Sequence, residues 1–120
     1  MDKEIMKGSI DILLLSLMNQ KDMYGYEMVK TLKENSDELY NMSEGTLYPA
    51  LKRLEIKGWL ESYWGSSEIG GRRKYYRITN DGKTVLRKKL EQWNQINNLI
   101  KRCSEGMTWT KKSKPILIKL

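Results

Sequence analysis

The sequence predicts an α+β fold that is mainly α-helical, with three short helices, one β-hairpin and a long last helix. Two patterns predict it. Before Gly58 and again after Asn80, apolar residues recur every three or four positions, which is the period of a helix that faces a core. Between these segments apolar and polar residues alternate, which is the period of a half-buried strand.

Composition limits the possible functions. The 120 residues carry 22 Lys and Arg against 15 Asp and Glu, a net charge of +7, and 39% of them are hydrophobic. This composition is typical of one basic domain with a modest core. The absence of histidine and the single Cys103 argue against a zinc site, a histidine-based triad and a disulfide framework. We therefore expect no cofactor and no enzymatic activity.

No segment resembles a membrane span or an export signal. The longest apolar run, Ile12 to Met18, is interrupted by Ser16 and is far shorter than the ~20 residues that a bilayer span needs. The acidic residues Asp2, Glu4 and Asp11 do not fit a secretory leader. We expect a cytoplasmic protein with no membrane partner, and a single thiol suits that reducing compartment.

The first helix is predicted over Gly8 to Gln20. Its core stripe comprises Ile10, Leu13, Leu14 and Leu17. Further apolar residues, namely Ile5, Ile12 and Leu15, lie off that face. A helix that is apolar on two sides usually touches two surfaces, here its own core and a second subunit. The alternative is a helix wholly buried in its own domain.

The second helix is predicted from about Tyr24 to Asn35, although Gly25 is a poor helix former near its start. Because the apolar positions are few, its orientation rests on the spacing alone. Its inward and flanking positions are expected at Tyr26, Val29, Lys30 and Leu32.

The third helix begins after Ser43, a good N-cap, and ends at Gly58. Glu44 lies in the first turn, where the helix dipole favours an acid. Pro49 in the second turn predicts a kink or a lost hydrogen bond. The core stripe of this helix comprises Leu47, Leu51 and Leu54.

The β-hairpin is predicted after Gly58. In its first strand Trp59, Glu61 and Tyr63 alternate with Leu60, Ser62 and Trp64. Gly65 to Gly71 forms a polar connection. The second strand covers Arg72 to Thr79, with Lys74, Tyr76 and Ile78 on one face and Arg73, Tyr75 and Arg77 on the other.

The last helix, capped by Thr79 or Asn80, is predicted to continue to Glu105 and to stop at Gly106. Residues spaced four and three apart form a coiled-coil seam, namely Leu86, Leu90, Trp93, Asn97 and Ile100. An amide at such a seam tends to select one register. The helix therefore predicts a partner, and the alternative is that it folds back on its own domain.

Three helices followed by a hairpin are the order of a winged helix-turn-helix, in which the third helix enters the major groove of DNA. We expect this domain over residues 5–79, a C-terminal dimerisation helix over 80–105 and a tail of unknown structure over 106–120. The outward positions of the third helix carry hydroxyls and charges suited to phosphates and base edges. They are Ser43, Glu44, Thr46, Tyr48, Lys52 and Arg53, each of which could equally lie on an ordinary solvated face.

The turn of the hairpin combines two flexible glycines with three consecutive cations, in Gly70, Gly71, Arg72, Arg73 and Lys74. Small residues let the backbone approach a phosphate, and the cations neutralise it. At the start of the second helix, Tyr24 and Tyr26 either donate hydroxyls to the DNA backbone or pack with one end in water.

The sequence resembles the PadR family of bacterial transcriptional regulators over roughly Ile10 to Ile100. The resemblance is carried by YGYE at 24–27, GTLYPALKRLE at 45–55 and GGRRKYYRIT at 70–79, in the order and spacing of the family. A proline at the position of Pro49 is habitual in the reading helix of this family.

The resemblance implies a homodimeric repressor in which the C-terminal helix of one subunit contacts the first helix of the other. The interface residues it implies are Ile5, Ile12, Leu86, Leu90, Trp93 and Ile100. In multidrug-binding members of the family, paired tryptophans stack on flat aromatic drugs, and the matching residues here are Trp93, Asn97, Ile12 and Gly8. Uncharged Asn97 stands where those members carry an acid, so the resemblance does not extend to a preference for cations.

The leading hypothesis is a homodimeric repressor of a DNA operator that a planar aromatic small molecule releases. The alternative is a winged-helix module that binds another protein without reading DNA sequence. The target DNA, the regulated genes and the direction of regulation stay open.

Overall fold

The structure is a computed structural model that describes residues 2–66 and 70–106. The helices are α1 (Lys3–Lys7), α2 (Ile10–Gln20), α3 (Gly25–Asn35), α4 (Glu44–Ile56) and α5 (Asn80–Cys103), and the strands are β1 (Met23–Tyr24), β2 (Leu60–Ser66) and β3 (Arg72–Ile78). This order confirms the predicted α+β, mainly α winged helix-turn-helix. None of the helices in the described ranges is long and apolar enough to cross a membrane.

The chain divides after Arg87 into two compact units. The first unit contains α1 to α4, the sheet and the start of α5, and it holds the hydrophobic core. The second unit contains the rest of α5. Of the tail predicted at 106–120, only Gly106 lies within the described residues.

The core of the first unit is built from aliphatic side chains of α2, α3, α4 and the sheet. Within the described residues no polar or charged side chain is buried. The stripe predicted for the third helix is confirmed, because Leu47, Leu51 and Leu54 are all buried. The largest fully buried side chains are Leu14, Leu15, Met28, Leu47, Leu51, Leu54 and Leu60.

The sheet has three antiparallel strands in the order β1-β3-β2. The predicted hairpin is confirmed, with Leu60 opposite Ile78 and Ser66 opposite Arg72. Strand β1 was not predicted, because its two residues are too few to show an alternating pattern. It pairs Met23 with Tyr76 and so joins the start of α3 to the hairpin.

The helix predicted over Gly8 to Gln20 corresponds to α2, and the short helix α1 before it was not predicted. Gly8 caps α1, and α2 begins only at Ile10. Leu15, which the spacing places off the core face, is fully buried, because α2 is covered on two sides by its own domain. The alternative of a wholly buried helix does not apply to all of α2, because Asn19 and Gln20 at its end are exposed.

The orientation predicted for the second helix is wrong at two positions. Tyr26 is 63% exposed and Lys30 is also exposed, whereas Met28 is buried. The inward face of α3 comprises Gly25, Met28 and Leu32, which are spaced three and four apart. Met28 lies one helical turn before Leu32, so counting back four residues from Leu32 would have found this face.

The caps predicted for α4 are confirmed. The Ser43 hydroxyl accepts a hydrogen bond from the Thr46 amide at 3.2 Å, and Gly58 adopts a φ of +77° after the last turn. The helix continues through Pro49, which has no N–H to donate to the carbonyl one turn earlier.

The first turns of α5 pack on the segment between α4 and β2. The Thr79 hydroxyl accepts from the Gly82 amide at 3.0 Å and donates to the Gly58 carbonyl at 2.6 Å. Leu86 is only 4% exposed and belongs to the core of its own domain, so its assignment to a dimer interface needs correction. The helix ends at Cys103, two residues before the predicted end.

We predict that Gly82→Ala destabilises the protein. A Cβ at this position would clash with the carbonyl oxygen of Trp59, a backbone atom that cannot rotate away. Overpacking of this kind costs roughly 1–3 kcal/mol or more. Denaturant unfolding followed by circular dichroism measures the loss. Gly8→Ala is the control, since a Cβ there meets nothing within 4 Å, and equal stability of the two variants would contradict the prediction.

Candidate nucleic-acid interface

The face of α4 opposite its leucine stripe points to solvent. Of the residues predicted to read DNA, Thr46 is half-buried, while Ser43, Glu44, Tyr48, Lys52 and Arg53 are exposed. The same exposed face carries Gly45, Pro49 and Ile56, none of which was predicted to contact DNA. Counting 3.6 residues per turn from the buried stripe would have found them. They were passed over because they carry no polar side chain.

The starts of α3 and α4 approach closely at Gly25. A Cβ on this glycine would lie 2.6 Å from the Tyr48 hydroxyl oxygen, so the phenol lies directly on the bare backbone. The amide of Tyr24, immediately before α3, donates to the Glu27 carboxylate at 3.3 Å. Gly25 therefore places Tyr24 and Tyr48 side by side, although it is a poor helix former.

The three consecutive cations of β3 lie on two faces of the hairpin, because successive strand residues point to opposite sides. The Arg72 guanidinium stacks on Trp64, 5.0 Å from the ring centroid. The Arg73 guanidinium lies 5.9 Å from the ring centroid of Tyr24. The Lys74 ammonium lies 5.6 Å from the ring centroid of Tyr76. Arg72, Lys74 and Tyr76 are on the same face of the strand.

A row of tyrosines ties the Arg73 face of the hairpin to α3. Tyr63 and Tyr75 stack with centroids 5.6 Å apart, and Tyr75 meets Tyr24 edge to face at 5.4 Å. Gly65 leaves room for this row, since a Cβ there would lie 2.8 Å from the Tyr75 ring. The position of Tyr24 is thus set by the sheet as well as by α3.

The Tyr63 hydroxyl anchors the row by donating to the Asp22 carboxylate at 2.5 Å. This hydrogen bond is the main reason that the pKa of Tyr63 is raised, because the phenolate could not donate; partial burial raises it further. The Arg77 guanidinium, 4.8 Å from the ring centroid, acts in the opposite direction, and it also donates to Glu61 at 2.8 Å.

Glu55 connects the last turn of α4 to both strands of the hairpin. Its carboxylate accepts from the Ser62 hydroxyl at 2.5 Å and lies 3.9 Å from the Lys74 ammonium. Tyr76 beneath them is buried, which raises its pKa. Helix α4 and the hairpin are therefore held together by charged as well as apolar contacts.

These contacts form a small surface cleft of about 270 Å³ where α3, α4 and β3 meet. Four residues predicted from three separate parts of the sequence line it together, namely Tyr24, Tyr48, Arg73 and Lys74. Two tyrosines and two cations line it, and phenol hydroxyls and cations are donors that suit a phosphate. We refer to this site as the phosphate cleft. Gly25 and Tyr76 complete its wall.

Other predicted DNA-binding residues lie elsewhere. Ser43 and Thr46 lie at the N-terminal end of α4 but do not line this cleft, and their hydroxyls are 3.2 Å apart. Tyr26 lines a separate polar cleft of about 620 Å³ beside α3. Exposed Gly71 and Arg72 are in the hairpin outside the phosphate cleft, and Lys52 is exposed on α4. Arg53 is paired with Asp11 of α2 at 2.6 Å.

The second half of α5 carries an exposed apolar row. Trp93 is 46% exposed in a helix that otherwise consists mostly of polar residues. Ile96 and Leu99 were not predicted to be part of this row, because they lie outside the predicted coiled-coil seam. Among the described residues after Arg87, the large apolar side chains that are exposed are Leu90, Trp93, Ile96, Leu99 and Ile100.

The first unit holds the remaining residues that the sequence analysis assigned to a ligand or a second subunit. Ile5 and Gly8 are exposed. Ile12 is half-buried and packs against its own core, so only part of its side chain is available to another molecule.

Comparison with known proteins settles the family. Residues 14–88 match the model of the transcriptional regulator PadR-like family, more than half of the chain. The chain belongs to the PadR-like family. It is therefore a DNA-binding transcriptional regulator and not an enzyme, as the sequence predicted.

Solved structures of transcriptional regulators show the same fold. A transcriptional regulator from Clostridium thermocellum is 39% identical, with a TM-score of 0.76, covering 83% of this chain and 97% of that one. A PadR-like transcriptional regulator from Bacillus cereus is 28% identical, with a TM-score of 0.77, covering 87% of this chain and 99% of that one.

Two curated relatives differ in length. Protein X of Lysinibacillus sphaericus is 36% identical over 104 residues, which are 87% of this chain and 95% of that protein. The transcriptional regulator YqjI of Escherichia coli is 29% identical over 97 residues, which are 80% of this chain but only 45% of that protein.

The raised pKa of Tyr63 predicts a loss of stability in alkali. The unfolded chain releases the phenol proton near the ordinary value of about 10, whereas the folded chain retains it to higher pH. Stability is therefore complete below pH ~10 and falls as the pH rises through the folded pKa. Unfolding by urea between pH 8 and 11 measures the effect. We expect Tyr63→Phe to flatten this fall, and a slope unchanged from that of the wild type would contradict the assignment.

Proposed function

We propose that the protein is a homodimeric repressor whose two copies of α4 enter successive major grooves of a pseudo-palindromic operator. The observation that carries this proposal is the phosphate cleft, in which the start of α3, the reading helix and the hairpin contribute donors to one place. A dimer of this class places its reading helices about 34–36 Å apart.

Affinity in this proposal comes from phosphates. The protein carries a net charge of +7, and Arg73 and Lys74 add two cations directly beside the reading helix. Tyr24 and Tyr48 donate neutral hydrogen bonds that fix the position of the same phosphate. Gly71 and Arg72 bring the hairpin to the neighbouring backbone, where Arg72 is already held in place by Trp64.

Selection in this proposal comes from the exposed face of α4. Ser43, Thr46 and Lys52 offer hydroxyls and a cation to base edges. Between them Gly45 and Pro49 present little side-chain bulk, which supports a close approach of the helix to the bases. Tyr26 extends the contact along the backbone on the α3 side.

Dimerisation in this proposal uses the exposed apolar row of α5. A row of large apolar side chains on an unpartnered helix is typical of a helix that pairs with another chain. Ile5 and the exposed part of Ile12 supply the matching surface on α1 and α2 of the second subunit. Asn97 sets the register of the pairing.

Release of DNA in this proposal follows the binding of a planar aromatic molecule on Trp93, with Asn97, Gly8 and Ile12 around it. Stacking or a cation–π contact on a tryptophan is worth about 0.5–2 kcal/mol. Such a ligand changes the spacing of the two reading helices only through its different affinity for the two arrangements.

We predict that Arg73→Ala and Lys74→Ala each weaken binding to the operator, which is found by footprinting the DNA upstream of the gene. Affinity falls with rising salt, and each lost phosphate contact makes the negative slope of log affinity against log salt shallower by about 0.9. Fluorescence anisotropy across a salt series measures both quantities. Lys83→Ala, an exposed cation on α5, is the control and retains the wild-type slope. Equal affinity of the wild type for operator and scrambled DNA would instead favour the protein-binding module.

We predict that Trp93→Ala still binds the operator but is no longer released by planar aromatic compounds that release the wild type. Sedimentation at micromolar concentration checks that both proteins are dimers, and anisotropy in the presence of a panel of such compounds measures release. If the variant is released by every compound that releases the parent, Trp93 is a packing residue only. A monomeric wild type would overturn the dimer proposal.

A further inference from the structure

An ion pair joins α2 to the reading helix. Arg53 in the last turn of α4 donates from Nη2 to Oδ1 of Asp11 in the first turn of α2, at 2.6 Å. The Asp11 side chain is 20% exposed and that of Arg53 is 46% exposed. Among the ion pairs within the described residues, this one is the shortest and has the least exposed acid.

The opposite flank of α4 is also tied. Residues 53 and 55 differ by about 200° around a helix, so they point to opposite sides. Arg53 contacts α2 on one side, and Glu55 contacts Ser62 and Lys74 of the hairpin on the other. The leucine stripe lies between the two ties. Apolar contacts alone let a helix slide and rotate by small amounts, whereas two directional ties on opposite flanks define its angle.

The geometry of Arg53 favours a role as a tie. A charge-assisted hydrogen bond of this length is among the stronger polar contacts in a protein, and the carboxylate that accepts it is mostly shielded from water. Swinging the guanidinium away to a phosphate would leave a shielded carboxylate without its cation, which is costly. Lys52, one position earlier and exposed, has no such constraint.

We propose that Asp11 is a positioning residue for DNA reading: through Arg53 it sets the angle at which α4 meets the major groove. This inference rests on the proposed function, in which α4 reads DNA. It assigns Arg53 a different role from the phosphate contact that the sequence suggests. It also gives Asp11, which the sequence analysis did not select for DNA binding, a part in specificity.

The test compares Asp11→Ala, Arg53→Ala and the double variant on operator and scrambled duplexes. We expect each single change to lower the ratio of operator to scrambled affinity about threefold to tenfold, which corresponds to the loss of one partly shielded ion pair. Because both changes break the same tie, the double variant loses no more than either single variant. The salt slope stays at the wild-type value in all three.

Two further variants guard against loss of folding. Asp11→Asn keeps the size of the side chain and one acceptor oxygen, and we expect it to retain part of the ratio of operator to scrambled affinity. The exchanged pair, Asp11→Arg with Arg53→Asp, restores the tie in reverse, and we expect it to recover most of the ratio. Lys33→Ala is the control. It breaks the exposed ion pair between Lys33 on α3 and Glu38 just after that helix, and it leaves the ratio of operator to scrambled affinity unchanged. Thermal unfolding of every variant separates positioning from a general loss of stability.

Three results would overturn the inference. If the negative slope of log affinity against log salt becomes shallower by about 0.9 in Arg53→Ala but not in Asp11→Ala, Arg53 is a phosphate contact. A wild-type ratio in all the Asp11 and Arg53 variants would remove the positioning role while leaving the proposed function intact. A wild-type protein that does not distinguish operator from scrambled DNA would overturn the proposed function and this role together.

Discussion

The burial of one face of α4 is the constraint on which the rest of the structure depends. Leu47, Leu51 and Leu54 are removed from water, and each such burial stabilises the fold by about 1.5–3 kcal/mol. A helix held so firmly on one side must present the other side to solvent. The exposed face of α4 is therefore a consequence of the core, and the same packing that stabilises the domain makes a surface available for DNA.

Around this buried face, contacts of other kinds determine what surrounds α4. Gly25 allows the Tyr48 phenol to lie on the start of α3, and Glu55 connects the last turn to the hairpin. Arg53 reaches Asp11 on the remaining flank. Close packing at a glycine limits the distance between helices, while directional charged contacts limit rotation. Together these contacts hold α4 and the phosphate cleft in one rigid part of the domain.

The described second half of α5 differs from α4, because it has no buried apolar face. Its apolar side chains are exposed, whereas Leu86 in the first part of the same helix is buried. One continuous helix therefore changes from a core element to an element with an uncovered apolar row near Arg87. This change is the physical basis of the dimer proposal, since exposed rows of large apolar side chains are unfavourable in water unless another chain covers them.

The sequence by itself determined the order of the four longer helices and the hairpin, although not α1 or β1, and it determined the leucine stripe of α4 and its caps. These features depend on local periodicity and on single residues such as Ser43 and Gly58. It also singled out the residues of the phosphate cleft. Only the tertiary structure decided which of them meet. The cations at 72–74 divide between two faces of a strand, Arg53 pairs with Asp11 across 42 positions of the chain, and Leu86 turns inward. These outcomes depend on contacts between distant segments, which no local pattern of residues records.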